Sequence, residues 1–182
     1  MAVALSRNTA RFWRLRCAAP DTDYPPLLRP GLHPMTMDQV RELCVSGFSG
    51  SIKREVIFAG LAAFLTELSA AGVSGKVWVD GSFVTRKPEP GDCDVVVCID
   101  GVQVLDPGDP AMTEFLRKRF NTERSLVKTL HHCDVYFFPE YPSGHMLHGV
   151  TTHWSAYWRK QFGFDRSRQP KGMAVVVLPI QP

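Results

Sequence analysis

Two apolar runs, Val77 to Phe83 and Cys93 to Ile99, are separated only by "VTRKPEPGD". A parallel strand pair needs a crossover of about a dozen residues or more, usually a helix. Pro88, Pro90 and Gly91 mark this segment as a loop instead. The two runs therefore read as antiparallel neighbours in one sheet. The second run, "CDVVVCI", is apolar on both faces, so both faces of the sheet must be covered. That commits the chain to a sheet with helices packed against it.

The rest of the sequence supplies those helices. Pro20, Pro25, Pro26, Pro30 and Pro34 predict an extended lead-in. "TMDQ" is a capping box, with Thr36 at the N-cap and Gln39 at N3, opening a short helix to about Val45. "SGFSGS" ends it. From Ile52 the spacing of Ile57, Leu61, Phe64 and Leu68 predicts the longest helix, stopped at Gly72 and Gly75. Lys53 and Arg54 are placed on its wet face. A helix over 109–120 has Asp109 as N-cap and Pro110 at N1. Asp134 to Phe138 reads as a strand, Thr152 to Phe162 as a helix, and "GMAVVVLPI" as the last strand. The expected fold is a single α/β domain over 21–182, with a mixed sheet of about four strands flanked by helices.

Residues 1–20 contain four arginines and no acid. They read as a solvated basic tail, with an organelle transit segment as the alternative. The apolar share of 45%, the charged share of 21% and the net charge of +3 are those of a globular domain with no strong bias towards a polyanion. No apolar run approaches the roughly 18 residues of a membrane span. The expected setting is cytoplasmic. Cys17, Cys44, Cys93, Cys98 and Cys133 form no CxxC pair and read as small buried hydrophobes. His131, His132 and Cys133 do not make a zinc site, because successive strand residues point to opposite faces.

Asp92 and Asp94 are the anomaly. Strand periodicity puts them on one face, with Cys93 turned away. Close carboxylates repel, and in a low-dielectric site one takes up a proton unless a cation stands between them. A divalent cation answers that need, and Mg2+ prefers a few carboxylates together with phosphate oxygens and water. "HHCDVYFFP" offers a third carboxylate, Asp134, again at the head of an apolar strand. If that strand lies parallel beside the first, the three acids meet at one end of the sheet. Gly81 lets the backbone approach a ligand, and the Ser82 hydroxyl and the following amides can hold phosphate oxygens. A phosphate cradle beside an acidic metal cluster is equipment for attack on a nucleoside triphosphate.

"VDGSFVTRKPEPGDCDVVV" resembles the Gly-Ser to Asp-x-Asp signature of DNA polymerase beta-like nucleotidyltransferases, above all their small bacterial members. A longer string, from "LHPMTMDQVRE" to "FGFDRSRQPKG", is similar to short bacterial proteins of uncharacterised function. The resemblance implies a nucleotidyltransferase-like sheet. It assigns Gly81 and Ser82 to the triphosphate, and Asp92, Asp94 and Asp134 to Mg2+ or Mn2+, with Asp134 acting on the acceptor hydroxyl. It implies transfer of a nucleoside monophosphate, ATP being one donor, to an RNA, protein or small-molecule hydroxyl. Cys93 departs from the usual aliphatic residue.

Arg86 and Lys87 lie close enough to the Gly-Ser pair to help hold a triphosphate. Arg166, Arg168 and Lys171 form either a solvated basic turn or a phosphate contact. Trp154, Tyr157 and Trp158 recur at helical spacing and read as core. His145, His148 and His153 have no metal-ligand spacing. After Asp134 the chain has room for only one helix and one strand. Acceptor choice would then fall to a surface loop, a homo-oligomer or a partner chain. Two further readings stay open: a non-catalytic or regulatory module of a toxin–antitoxin or phage-defence pair, and an unrelated α/β domain whose acids are structural.

Overall fold

The structure is a computed structural model that describes residues 24–102 and 110–180. The basic tail, Cys17 and the Asp109 cap lie outside the described residues. Five strands make one mixed sheet: β1 (Gly31–Pro34), β2 (Gly75–Asp80), β3 (Cys93–Asp100), β4 (Cys133–Glu140) and β5 (Gly172–Leu178). Their order across the sheet is β1-β5-β2-β3-β4. β2 runs antiparallel to both of its neighbours, as the short loop to β3 requires, while the outer pairs β1–β5 and β3–β4 are parallel.

The helices are α1 (Met37–Arg41), α2 (Ile52–Ala70), α3 (Pro110–Arg117), α4 (Arg124–His131) and α5 (His148–Phe162). α1 and α3 each run on into one π turn, Glu42–Ser46 and Lys118–Thr122. The capping box is formed at α1: the Gln39 N–H donates to Thr36 Oγ1 at 3.2 Å, and the Thr36 N–H donates to Gln39 Oε1 at 2.9 Å. Ile57, Leu61, Phe64, Leu65 and Leu68 of α2 are buried on one face of the sheet. Each such burial is worth roughly 2 kcal/mol, which holds the helix more firmly than its own hydrogen bonds do. α5 covers the other face, packing Trp154, Trp158 and Phe162 on Trp78, Phe138 and Met173. Trp154, Trp158 and Phe162 are thus half-buried against that core, whereas Tyr157 is exposed.

Several expectations need correction. The sheet has five strands, since the proline-rich lead-in contributes β1 at an edge. α4 is a further helix between Phe120 and Asp134, beyond those the sequence predicts. β2 ends at Asp80, and Gly81–Val84 form a 3-10 turn instead of continuing the strand. α5 begins a turn earlier than Thr152.

Arg54 is the largest change. It is 0% exposed, whereas Lys53 stays in solvent. Its guanidinium donates to the carbonyls of Cys44 (2.6 Å), Phe83 (2.8 Å), Thr85 (2.6 Å) and Lys87 (2.6 Å), and lies 3.6 Å from the centre of the Phe48 ring. One planar fork therefore satisfies backbone oxygens from the α1 turn and from the loop after β2. Gly60 matters for a different reason. A Cβ there would lie 2.2 Å from the His131 carbonyl oxygen, so α2 and the end of α4 meet backbone to backbone.

Candidate functional site

β3 and β4 begin side by side, with Asp94 opposite Asp134; on the other side of β3, Asp80 ends β2 opposite Asp94. Neighbouring strands stand about 4.8 Å apart. Cys93, Val95, Cys133, Val135 and Val79 all belong to the core beneath α2. Alternation therefore turns the three aspartates towards the face that α5 covers. This row is the candidate site. The parallel pairing that would bring Asp94 and Asp134 together is present.

Gly81 follows at once, with φ +83. A Cβ on it would sit 2.3 Å from Asp94 Oδ2 and 3.1 Å from the Asp94 nitrogen. The turn therefore packs bare backbone onto the carboxylate, and no side chain fits between them. Ser82 begins the next turn, where its carbonyl accepts from the Thr85 N–H (3.2 Å) and hydroxyl (2.8 Å).

The acids do not stand alone. α4 carries Arg124 and Lys128 one turn apart. Arg124 is ion-paired with Asp134 and lies 4.1 Å over the Tyr136 ring. Lys128 Nζ is 2.6 Å from Asp92 Oδ2 and 3.2 Å from Asp134 Oδ2. Burial works to lower the Lys128 pKa, but its bonds to Asp92 and Asp134 and their charges prevail and raise it. Neither cation was singled out from the sequence. Their i, i+4 spacing just ahead of "HHCD" was the available signal.

A second pair lies deeper. Asp80 is 1% exposed and Lys171 9% exposed, and Lys171 Nζ lies 3.0 Å from Asp80 Oδ2. The contact lies off a good hydrogen-bond direction, since neither Asp80 carboxylate oxygen has a well-directed hydrogen-bond partner. Burial pushes the Asp80 carboxyl up to about 6, with the Lys171 charge working against it. Lys171 thus departs from a solvated basic turn.

These groups open onto a cleft of about 1110 Å³. Gly81, Ser82, Asp92 and Asp94 line it, with Lys87 beside them; Lys160, Arg166, Arg168 and Lys171 also line it. Asp134 is next to this cleft in the sheet but is not part of its lining. Arg86 is exposed and does not line it either, so only Lys87 of the expected pair reaches it. His148 Nδ1 is 2.9 Å from the Tyr141 carbonyl, and His145 stacks on the Tyr141 ring, so both serve the loop before α5. The four described cysteines are free and buried. Burial pushes the Cys44 thiol up to about 12 and raises Cys93 and Cys98 as well, which leaves them unreactive.

Among the described residues, no group of three or more His, Cys, Asp or Glu side chains is arranged to hold a metal ion. The residue types at the strand heads do suit a hard cation with oxygen ligands. In this structure Arg124 and Lys128 supply the compensating charge.

Fold and site together define a single-domain α/β protein with a mixed five-stranded sheet, whose acidic strand heads border a cleft that also carries basic side chains. The chain belongs to the family of unknown function DUF6932, which it matches over residues 20–177. No curated protein and no solved structure matches it. Among the described residues no helix is long and apolar enough to cross a membrane.

Proposed function

We propose that the chain is a Mg2+-dependent nucleotidyltransferase that moves a nucleoside monophosphate from a nucleoside triphosphate to a hydroxyl acceptor. One observation carries the reading: Asp94 stands in register with Asp134 while the Gly81 backbone packs against the Asp94 carboxylate at the wall of a large cleft. In this reading Ser82 and the amides of its turn donate to phosphate oxygens. Asp92, Asp94 and Asp134 would hold the metal, which when bound lowers the pKa of the acceptor hydroxyl and offsets the phosphate charge. The acceptor oxygen bonds to the α-phosphorus as the bond to the bridging oxygen of the departing pyrophosphate breaks, and the hydroxyl proton passes to Asp134 or to water. Lys128 has to leave Asp92 and Asp134 before those carboxylates take another cation.

Lys128 also favours a second reading. A site already neutralised by α4 suits a non-catalytic module that binds or regulates a partner chain, as in a toxin–antitoxin or phage-defence pair. Calorimetry with Mg2+ and ATP, GTP, CTP or UTP, followed by pyrophosphate release with RNA, protein and small-molecule acceptors, separates the two. Binding that is lost in Asp94→Asn, together with turnover, supports the enzyme. Such binding without turnover supports the module. Absence of nucleotide binding rejects nucleotide chemistry at this site.

A further inference from the structure

We propose that the turn between α5 and β5, residues 163–171, is a polyphosphate clamp. It takes the phosphate chain of the nucleoside triphosphate, and so rests on the nucleotide reading above. The turn is tightly built. Phe164 pairs with Pro170, the Asp165 N–H donates to the Gln169 carbonyl at 2.9 Å, and the Gln169 N–H donates to Asp165 Oδ1 at 2.7 Å. Within it Arg168 has φ 62. That left-handed conformation costs a side-chain-bearing residue energy which glycine avoids and asparagine largely avoids. Strain of this kind gathers where a side chain must be aimed. Here the strained residue lines the cleft together with Arg166.

Lys171 closes the turn and is held differently. A buried ammonium is expensive without a partner, and Asp80 Oδ2 provides one at 3.0 Å. An ammonium has three N–H donors, so one carboxylate contact does not exhaust it. The guanidinium fork of Arg168 matches phosphate oxygens in pairs, and a fixed ammonium adds a point charge. Ser82 lines the same cleft, so a phosphate chain there meets a hydroxyl as well as these cations. The ligand chemistry is an extended polyphosphate, with two or more linked phosphates.

Inorganic tripolyphosphate in chelator is the probe, titrated into the full chain by calorimetry. The parent should bind it saturably. Arg168→Asn should weaken binding about tenfold, the loss of one charge-assisted hydrogen-bonded contact, while its melting temperature stays level or rises because Asn tolerates the left-handed backbone. Arg166→Gln should also weaken binding. Arg117→Gln, on α3 beneath the opposite face, should not. Equal affinity in the parent, Arg168→Asn and Arg166→Gln would overturn the clamp. So would an equal loss in Arg117→Gln, since that is general charge attraction. The two proposals also fail separately. If Mg2+-nucleotide binds the parent and Arg168→Asn alike, the clamp falls and the nucleotide reading stands. If tripolyphosphate binds as expected but nucleotides do not compete, the clamp stands and the nucleotide reading falls. If neither ligand binds the parent, both fall.

Discussion

Asp80 folds with a carboxyl pushed up to about 6, against 3.8 for the unfolded chain. The folded protein therefore holds that proton more tightly than the unfolded one. Its contribution to stability is greatest below pH 4, falls as the pH rises through 4 to 6, and is flat above. A shift of this size is worth about 3 kcal/mol across the window. Unfolding by urea between pH 4 and 7 should show that decline in the parent and not in Asp80→Asn. Taking the difference between the two removes the opposite slopes of other acids, and identical slopes would show that Asp80 does not titrate there. Lys128 gives a second test at this scale. Its contacts are partly exposed, so Lys128→Met should cost about 1 kcal/mol or less in chelator. With Asp92 and Asp134 relieved of an internal cation, the variant should gain more in melting temperature from Mg2+ than the parent does. No Mg2+ response in either protein would mean that the acids are served by Arg124 and Lys128 and take no divalent cation.

The turn after β2 is the element that ties fold to site. Gly81→Ala forces a left-handed alanine and drives its Cβ into Asp94. The backbone conformation alone should cost about 1 to 2 kcal/mol, and the collision adds to it. The variant should thus be destabilised as well as impaired in nucleotide binding. Adding Asp94→Ala should return the collision part, seen as non-additive urea midpoints. Legibility divides along the same lines. The parallel pairing that sets Asp94 beside Asp134 was a condition that no loop length fixed, whereas β2 and β3 could be read because each carries its own apolar pattern and the short loop fixes their pairing sense. β1 could not: it is four residues, "GLHP", with proline at its end, and its partner lies far along the chain. α4 hid for another reason. Its evident hydrophobes Leu126 and Leu130 point outward, while Val127 and His131 are the buried pair, so its apolar pattern marks the wrong face. Lys171 looked like solvent-facing charge because only its pairing partner Asp80, on another strand, reveals its burial.

At the scale of the molecule, Arg54 joins parts that no strand connects. Its donors close the carbonyls of the α1 turn and of the loop at 83–87, the loop that leads from the glycine turn towards Asp92. Arg54→Met would fill much of the space and strand those oxygens without partners. A loss of about 3 to 5 kcal/mol is expected, and Arg54→Lys should recover little of it because a single ammonium cannot span the same carbonyls. Urea midpoints of the two variants check this, and a near-parental Arg54→Lys would show that charge matters here and shape does not. The sheet imposes a different constraint. β5, the last described strand in chain order, lies between β1 and β2, which are among the first. While the chain is being synthesised, the edges of β1 and β2 that will flank β5 face water with their backbone groups open. Unpaired strand edges of this kind recruit other chains. For this protein the interval on the ribosome before β5 emerges is therefore the hazardous one, and a folding helper that covers β2 during that interval would act on the step with most to lose.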